Sequence, residues 1–288
     1  MDLIKADGVP RHCNLVYTSA GDRSNMHLWL TSRQNFDLWV SYYGDSRGSY
    51  RDIADYYNEC KGSKFQNLHY VYRNWGSILD HYEAVMVMDD DILIDGKDVS
   101  RLFDIREELD LWVLQPAFNP KGKISWDITR VRPTARLRYT NFVEMTCPLF
   151  RKDKLDAFMA VYDPSLVGFG MDWWFLDIMG SDLEGHVAVI DEITCVNPHD
   201  RTKGRGREID RLQSLAKRIT VWEQVKTRYG IRSEARGQIE YRRIGKSPAR
   251  ALASAVAHFP DWAYFHLRRA GRRFLRAVHP EFRGRKTS

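Results

Sequence analysis

Apolar residues in this chain fall into short unbroken runs, with polar and amphipathic stretches between them. The runs at 13–18, 36–43, 68–72, 84–88, 111–115, 142–147 and 187–190 each predict a strand. A run that is apolar at every position, as in Ala84-Val85-Met86-Val87-Met88, predicts a strand covered on both faces, which is the pattern of a parallel sheet. Mixed polar and apolar stretches predict short helices at 50–60, 77–83, 99–109, 153–161 and 172–179. Asp153 is the expected N-cap of the fourth, and the turn Gly168-Phe169-Gly170 precedes the fifth. Pro116 and Pro148 are expected to stop the strands they follow. Residues 119–123 predict a turn, and 125–138 have no clear period and are expected to lie irregularly over the end of the strand at 84–88. Strands alternating with helices predict an α/β fold with one mostly parallel mixed sheet flanked by helices and right-handed crossovers.

The chain of 288 residues is long enough for one large α/β domain with appendages. Its net charge of +6 hides a division: residues 201–288 hold 23 Lys/Arg against 7 Asp/Glu, and 1–200 hold 21 against 31. We expect an α/β domain over 1–205 and a basic, mainly helical C-terminal extension over 206–288. A basic end of this kind suits an anionic partner. Cys13, Cys60, Cys147 and Cys195 form no CxxC pair, which argues against a zinc knuckle or a small disulfide scaffold and makes reduced thiols the default. No apolar stretch approaches the ~20 residues of a bilayer span, and the N-terminus lacks a secretory core. A cytoplasmic location is expected, peripheral on the inner face of the membrane where the basic end docks there.

Asp89-Asp90-Asp91 follows the apolar run at 84–88, so three carboxylates project from the tip of a buried strand. Open α/β sheets bind ligands beyond the carboxyl ends of their strands. Carboxylates this close repel by several kcal/mol in a site of reduced dielectric unless a cation or proton intervenes, and an all-oxygen set favours Mg²⁺ or Mn²⁺ over Zn²⁺. Strand alternation would put Asp89 and Asp91 on one side and Asp90 on the other. A solvated acidic turn is the alternative.

Several blocks occur together in order: Tyr82-Glu83-Ala84-Val85-Met86-Val87-Met88-Asp89-Asp90-Asp91, Leu114-Gln115-Pro116-Ala117, Phe142-Val143-Glu144-Met145, Gly170-Met171-Asp172 and Val187-Ala188-Val189-Ile190-Asp191. Over about residues 13–205 they resemble the family called domain of unknown function 707, which looks like a nucleotide-diphospho-sugar transferase. The resemblance implies a sheet of the glycosyltransferase A type, with an Asp-x-Asp pair holding a divalent cation against the diphosphate of a nucleotide-diphospho-sugar donor. It implies Asp91 as a direct metal ligand and Asp89 as a contact to the donor ribose or to a metal-bound water. It makes His199, a little after the block ending at Asp191, the candidate third ligand, with Asp200 orienting or replacing it.

The remaining candidates come from the residues themselves. Ser19 and Asp22 lie in the small, polar first loop, where a nucleotide would sit, and Asp45 ends the second strand as a nucleoside contact. Asp172 opens an aromatic-rich helix behind a glycine turn, so a carboxylate could approach a ligand closely and act as the general base on an acceptor hydroxyl. Glu144 is the rival base, because burial in an apolar run would raise its pKa. An N-cap for Asp172 and a paired structural carboxylate for Glu144 are the plain alternatives. Arg130 and Arg132, in a series with Arg136 and Arg138, offer guanidinium forks for a diphosphate, against the alternative of a solvated basic loop. Trp126 and Trp173 are candidate stacking surfaces for the glycan or lipid-linked acceptor, although core packing is the commoner fate of Trp.

In the tail, Ala263, Leu267, Ala270, Phe274 and Val278 recur at helical spacing among five arginines, with Trp262 and Phe265 near the start. Residues 260–279 thus read either as an amphipathic helix for an anionic membrane surface or as a helix packed on the domain with a solvated basic face. Pro248 and Pro260 are expected to interrupt it. The competing functional class is a nucleic-acid- or anionic-surface-binding protein that uses the basic extension. It leaves the acidic strand end unexplained, and no nucleic-acid motif spacing is present. A phosphotransferase of the haloacid dehalogenase kind carries its nucleophile near the first strand, whereas the triplet here follows the fourth. A catalytically silent sugar-binding module is the last alternative.

Overall fold

The computed structural model describes residues 3–6, 8–199 and 208–278. One ten-stranded sheet runs through the molecule in the order β1-β4-β3-β2-β5-β8-β6-β9-β7-β10. Its strands are β1 (Leu3–Ala6), β2 (Asn14–Ala20), β3 (Asp37–Tyr42), β4 (Tyr56–Glu59), β5 (Ala84–Asp89), β6 (Val113–Phe118), β7 (Ala135–Thr140), β8 (Leu149–Arg151), β9 (Val187–Cys195) and β10 (Glu240–Gly245). The pairings β2–β3, β2–β5, β3–β4 and β6–β9 are parallel, while β1, β8 and β7 run against their neighbours. Seven of the ten strands therefore point the same way, and the sheet is mixed, as expected.

Helices cover both faces: α1 (Lys64–Leu79), α2 (Gly96–Glu108), α3 (Lys152–Val161), α4 (Met171–Ile178), α5 (Glu208–Leu212), α6 (Leu215–Tyr229) and α7 (Pro248–Val278). Side chains alternate along the central strands. Leu15, Tyr17, Val85 and Val87 join one core with Phe65 and Leu68 of α1, Phe158 of α3 and Trp174 of α4. Val16, Ala20, Met86 and Met88 face the other core with Val99, Leu102 and Phe103 of α2. Burying both faces is why these strands read as continuous apolar runs.

Several local expectations are corrected. Residues 68–72 lie inside α1, because Phe65, Leu68 and Val71 recur every third residue and are all buried, and this spacing outweighs the strand propensity of Tyr and Val. The helix expected at 50–60 is instead a turn leading into β4, whose Tyr56 and Tyr57 pack to opposite sides of the sheet. The helix expected at 77–83 is only the last turn of α1, which ends at Leu79. Pro116 does not stop β6: the strand continues to Phe118, with a register shift in its pairing to β9 right after Pro116. The run at 142–147 is not a strand, since its backbone N–H groups bond to side chains, Phe142 to Thr140 and Glu144 to Gln115. Residues 135–140 form β7 rather than irregular chain. Asp153 lies in the first turn of α3, paired with Arg151, and Arg151 itself holds the cap position. Pro260 does not interrupt α7, and Pro248 opens it, a position where a missing N–H costs nothing.

Segments on both sides of residue 205 take part in the same sheet and core. β10 pairs with β7 as the edge of the same sheet, and Val221, Trp222 and Val225 of α6 join the core that holds Trp173 and Trp174. Among the described residues no helix is long and apolar enough to cross a membrane.

Candidate active site

A cleft of about 1640 Å³ opens beyond the carboxyl ends of β2, β3 and β5. Parallel pairing sets its floor: Ser19 of β2 lies level with Asp89 of β5 and with Ser41 of β3. Ser19 accepts a hydrogen bond from Asn67 of α1 at 2.7 Å.

The acidic tip is differentiated. β5 ends at Asp89, and the N–H of Ile92 returns to the Asp89 carbonyl at 3.3 Å, so Asp90 and Asp91 sit in a turn rather than on a pleated strand. The Asp90 carboxylate accepts from Gly21 N–H at 2.9 Å, and its carbonyl accepts from Asn25 and Ser24, which ties the first loop to the tip. Asp89, Asp90 and Asp91 all line the cleft. Asp89 is paired at 2.8 Å with the ammonium of Lys64, a buried lysine at the start of α1.

The exit of β9 reaches the same place. Leu93 and Val196 exchange backbone hydrogen bonds at 3.0 and 2.9 Å, and Lys123 N–H donates to the Asn197 carbonyl, so His199 also lines the cleft. Asp200 lies outside the described residues. Carboxylates and an imidazole lining one cleft have the chemistry to hold a hard cation. Among the described residues, however, no group of three or more His, Cys, Asp or Glu side chains is gathered closely enough to hold a metal ion by itself. A cation here would need oxygens from a ligand.

Next to the tip are two carboxyls, because the Asp89 N–H donates to the Thr146 carbonyl at 2.9 Å and brings the loop at 142–147 against the end of β5. Glu144 is 4% exposed and accepts from the hydroxyls of Thr129 at 3.0 Å and Thr146 at 3.2 Å. Burial pushes its pKa up to about 8, with the neighbouring Asp172 charge adding to the rise. Asp172, in the first turn of α4, accepts from the N–H of Met145, and burial lifts it to about 7 against the lowering pull of that bond and of Lys64. Gly170, at φ 86°, starts the helix that carries it. Two carboxyls whose protons leave near neutral pH, beside an acidic tip, are suited to proton transfer.

Trp126 presents an exposed face to the cleft and packs edge-on against Phe142 and Trp173. Trp173 itself is buried, supporting Trp126. Asp22, in the loop after β2, and Asp45, in the loop after β3, both line the cleft. Asp22 accepts from the Tyr42 hydroxyl and from the N–H groups of Asp45 and Ser46, which hold its carboxyl down at about 2. Asp45 pairs with Lys61 at 3.0 Å.

The arginines are placed elsewhere. Arg130 and Arg132 both pair with Asp127 at 2.9 Å and are not among the residues lining the cleft, and Arg130 also lies against the ring of Phe265. Arg138 is fully buried against Asp191 and donates to the carbonyls of Ile128 and Arg130, so it fixes the backbone of this segment from beneath. Arg136 pairs with Glu192. Sequence reading missed Lys64, Tyr43, Phe169 and Phe265, all of which line the cleft. The signal for Lys64 was faint: a lone Lys opening an apolar helical stretch.

No family model matches the chain, and no curated protein matches it significantly. Among solved structures, the chain is similar to S. aureus TarS. In a crystal structure of TarS 1-349 in complex with UDP-GlcNAc, the identity is 11%, covering 68% of this chain and 60% of that one, with a TM-score of 0.45. A structure of TarS gives 12% identity over 74% of this chain and 43% of that one, with a TM-score of 0.47. Another of TarS 1-349 gives 13% over 71% and 68%, with a TM-score of 0.42. The chain thus spans less than two thirds of the length of the first two.

Proposed function

We propose that the protein is a glycosyltransferase-like enzyme of the glycosyltransferase A type, dependent on Mn²⁺ or Mg²⁺, which moves a sugar from a nucleotide-diphospho-sugar donor to a glycan or lipid-linked acceptor. The resemblance to domain of unknown function 707 points the same way. The observation that carries the proposal is the meeting, in one cleft, of the acidic tip Asp89/Asp91 with two carboxyls, Glu144 and Asp172, that titrate near neutral pH.

Asp91 and His199 would hold the cation, with Asp89 already engaged by Lys64 and the donor diphosphate completing the ligand set. The cation would supply neutralisation of charge on the departing nucleoside diphosphate. The first loop, with Ser19 and Asp22, and Asp45 after β3 receive the nucleoside. Asp172 takes the proton from the acceptor hydroxyl at its carboxylate, and Glu144, whose ionisation the Asp172 charge opposes, remains the protonated partner behind it. Trp126 offers its face to a sugar ring.

The test is calorimetric titration of UDP and of GDP into the purified protein with Mn²⁺, with EDTA, and with Asp91→Ala. Binding of one nucleotide that requires both the metal and Asp91 is expected. Binding of neither nucleotide, or binding indifferent to metal and to Asp91, overturns the reading.

A further inference from the structure

Most exposed helices turn polar residues to solvent, and α7 does the reverse. With about 3.6 residues per turn, Ser254, His258, Asp261 and Phe265 share one face. That face is turned toward the protein: Ser254 accepts from Lys246 at 2.9 Å, Asp261 accepts from Asn119 at 2.9 Å, and Phe265 lies against Arg130 and lines the cleft. The opposite face carries Leu252, Val256, Phe259 and Leu267, which are 69%, 67%, 63% and 73% exposed. The polar side of the helix is bonded to the domain, and its apolar side is left in the open. A contiguous apolar stripe of this kind marks a surface that something covers.

Two further features identify the cover. Trp262 and Tyr264, both about half exposed, stand on either side of the stripe, where amphipathic aromatic rings sit at a membrane–water boundary. Beyond Asp261 the helix runs to Val278 with arginines at 268, 269, 272, 273 and 276 and no acidic residue. An anionic surface complements these arginines, whereas the same segment of a second copy of the chain offers them no acidic counterpart.

We infer that α7 is an in-plane membrane helix that seats the protein on an anionic lipid bilayer through Leu252, Val256, Phe259 and Leu267. This goes beyond the choice between docking and packing open in the sequence: the helix is packed through one face and docks through the other. Residue 279 of the stretch expected to dock lies outside the described residues. Because Phe265 lines the cleft from the inner face of the same helix, docking holds the cleft beside the bilayer. On the transferase reading, on which this step rests, the acceptor is a lipid-anchored molecule.

The test is flotation of the full chain with phosphatidylcholine vesicles prepared with and without phosphatidylglycerol. Binding to the anionic vesicles, weakened by salt, is expected, and a Phe259→Ser/Leu267→Ser variant should bind them at least about tenfold more weakly at an unchanged thermal midpoint, since both positions are exposed. Equal flotation of the variant, or no flotation with either vesicle, overturns the proposal. So does a dimer in light scattering that the double substitution dissociates, because a second copy is then the cover. Asp91→Ala should float as the unaltered chain does, so loss of nucleotide binding and loss of membrane binding are read separately.

Discussion

The Lys64 ammonium lies 2.8 Å from a carboxylate oxygen of Asp89 and donates to the carbonyls of Val87, Met145 and Thr146 at 3.1, 2.6 and 3.0 Å. One buried cation thus joins the end of β5 to the loop that carries Glu144, and so fixes the acidic tip against that loop. Lys64→Met would leave three carbonyls without this donor and Asp89 without its counter-charge. We expect a loss of roughly 3 kcal/mol in urea unfolding. An unchanged midpoint would mean that water or another side chain can replace the ammonium.

Asp172 predicts a pH profile. Its carboxyl titrates at about 7, so the fraction able to accept a proton rises through neutral pH, and turnover should rise with it and level off above. Asp172→Asn should lower kcat by about 10²–10⁴-fold while nucleotide affinity measured by calorimetry stays within a few-fold. A variant that turns over normally, or a profile flat between pH 6 and 8, would assign the base elsewhere, with Glu144 the next candidate.

Glu144 makes a prediction about stability. Its pKa is raised from 4.5 to about 8 by burial and by the Asp172 charge, so the folded chain keeps a proton that the unfolded chain releases. The contribution of that proton is complete below about pH 4.5 and is lost as pH rises through about 8. Glu144→Gln keeps the shape and, like the protonated acid, offers an acceptor oxygen to one threonine hydroxyl and a donor to the other, but cannot ionise. It should exceed the unaltered chain in stability at pH 8.5 by roughly 2–4 kcal/mol and come close to it at pH 5. Thermal melts at the two pH values measure this, and parallel curves would show that the Glu144 proton contributes nothing to the pH dependence of folding.

What could be read in the sequence follows from what each residue answers to. β2, β3, β5 and β9 were legible because strands buried on both faces announce themselves as apolar runs, and the Asp triplet was legible because it breaks such a run abruptly. Residues 68–72 misled because Tyr70, Val71 and Tyr72 satisfy strand propensity, while their helical fate depends on Phe65 and Leu79 lying outside that window. The loop at 142–147 misled for the opposite reason. It is apolar and buried, yet its backbone groups bond to Gln115, Asp172 and Lys64, partners 27 to 81 residues away that no local pattern names. The arginine series illustrates the same limit: alternation suggested a common ligand, but Asp127 and Asp191 take those charges within the fold. Lys64 reached the site only through tertiary structure.

Gly170 offers a test of how tightly the Asp172 wall is built. It sits at φ 86° before α4, and its carbonyl accepts from the N–H groups of Trp173 and Trp174 at 3.1 and 3.2 Å. A Cβ at this position would lie 2.1 Å from the indole of Trp222, a fully buried side chain whose own Nε1–H donates to Glu234 at 3.2 Å. Gly170→Ala therefore combines a left-handed backbone that L side chains resist, at about 1–2 kcal/mol, with a clash that only movement of α4 or α6 relieves. We expect at least about 3 kcal/mol of destabilisation in urea and, because α4 carries Asp172 two residues on, a fall in turnover at temperatures where the variant is still folded. Trp222→Leu in the same chain should recover part of the clash but none of the backbone cost. If Gly170→Ala alone were as stable as the unaltered chain, α4 and α6 would be free to part without cost, and the placement of Asp172 would have to come from Met145 and Lys64 alone.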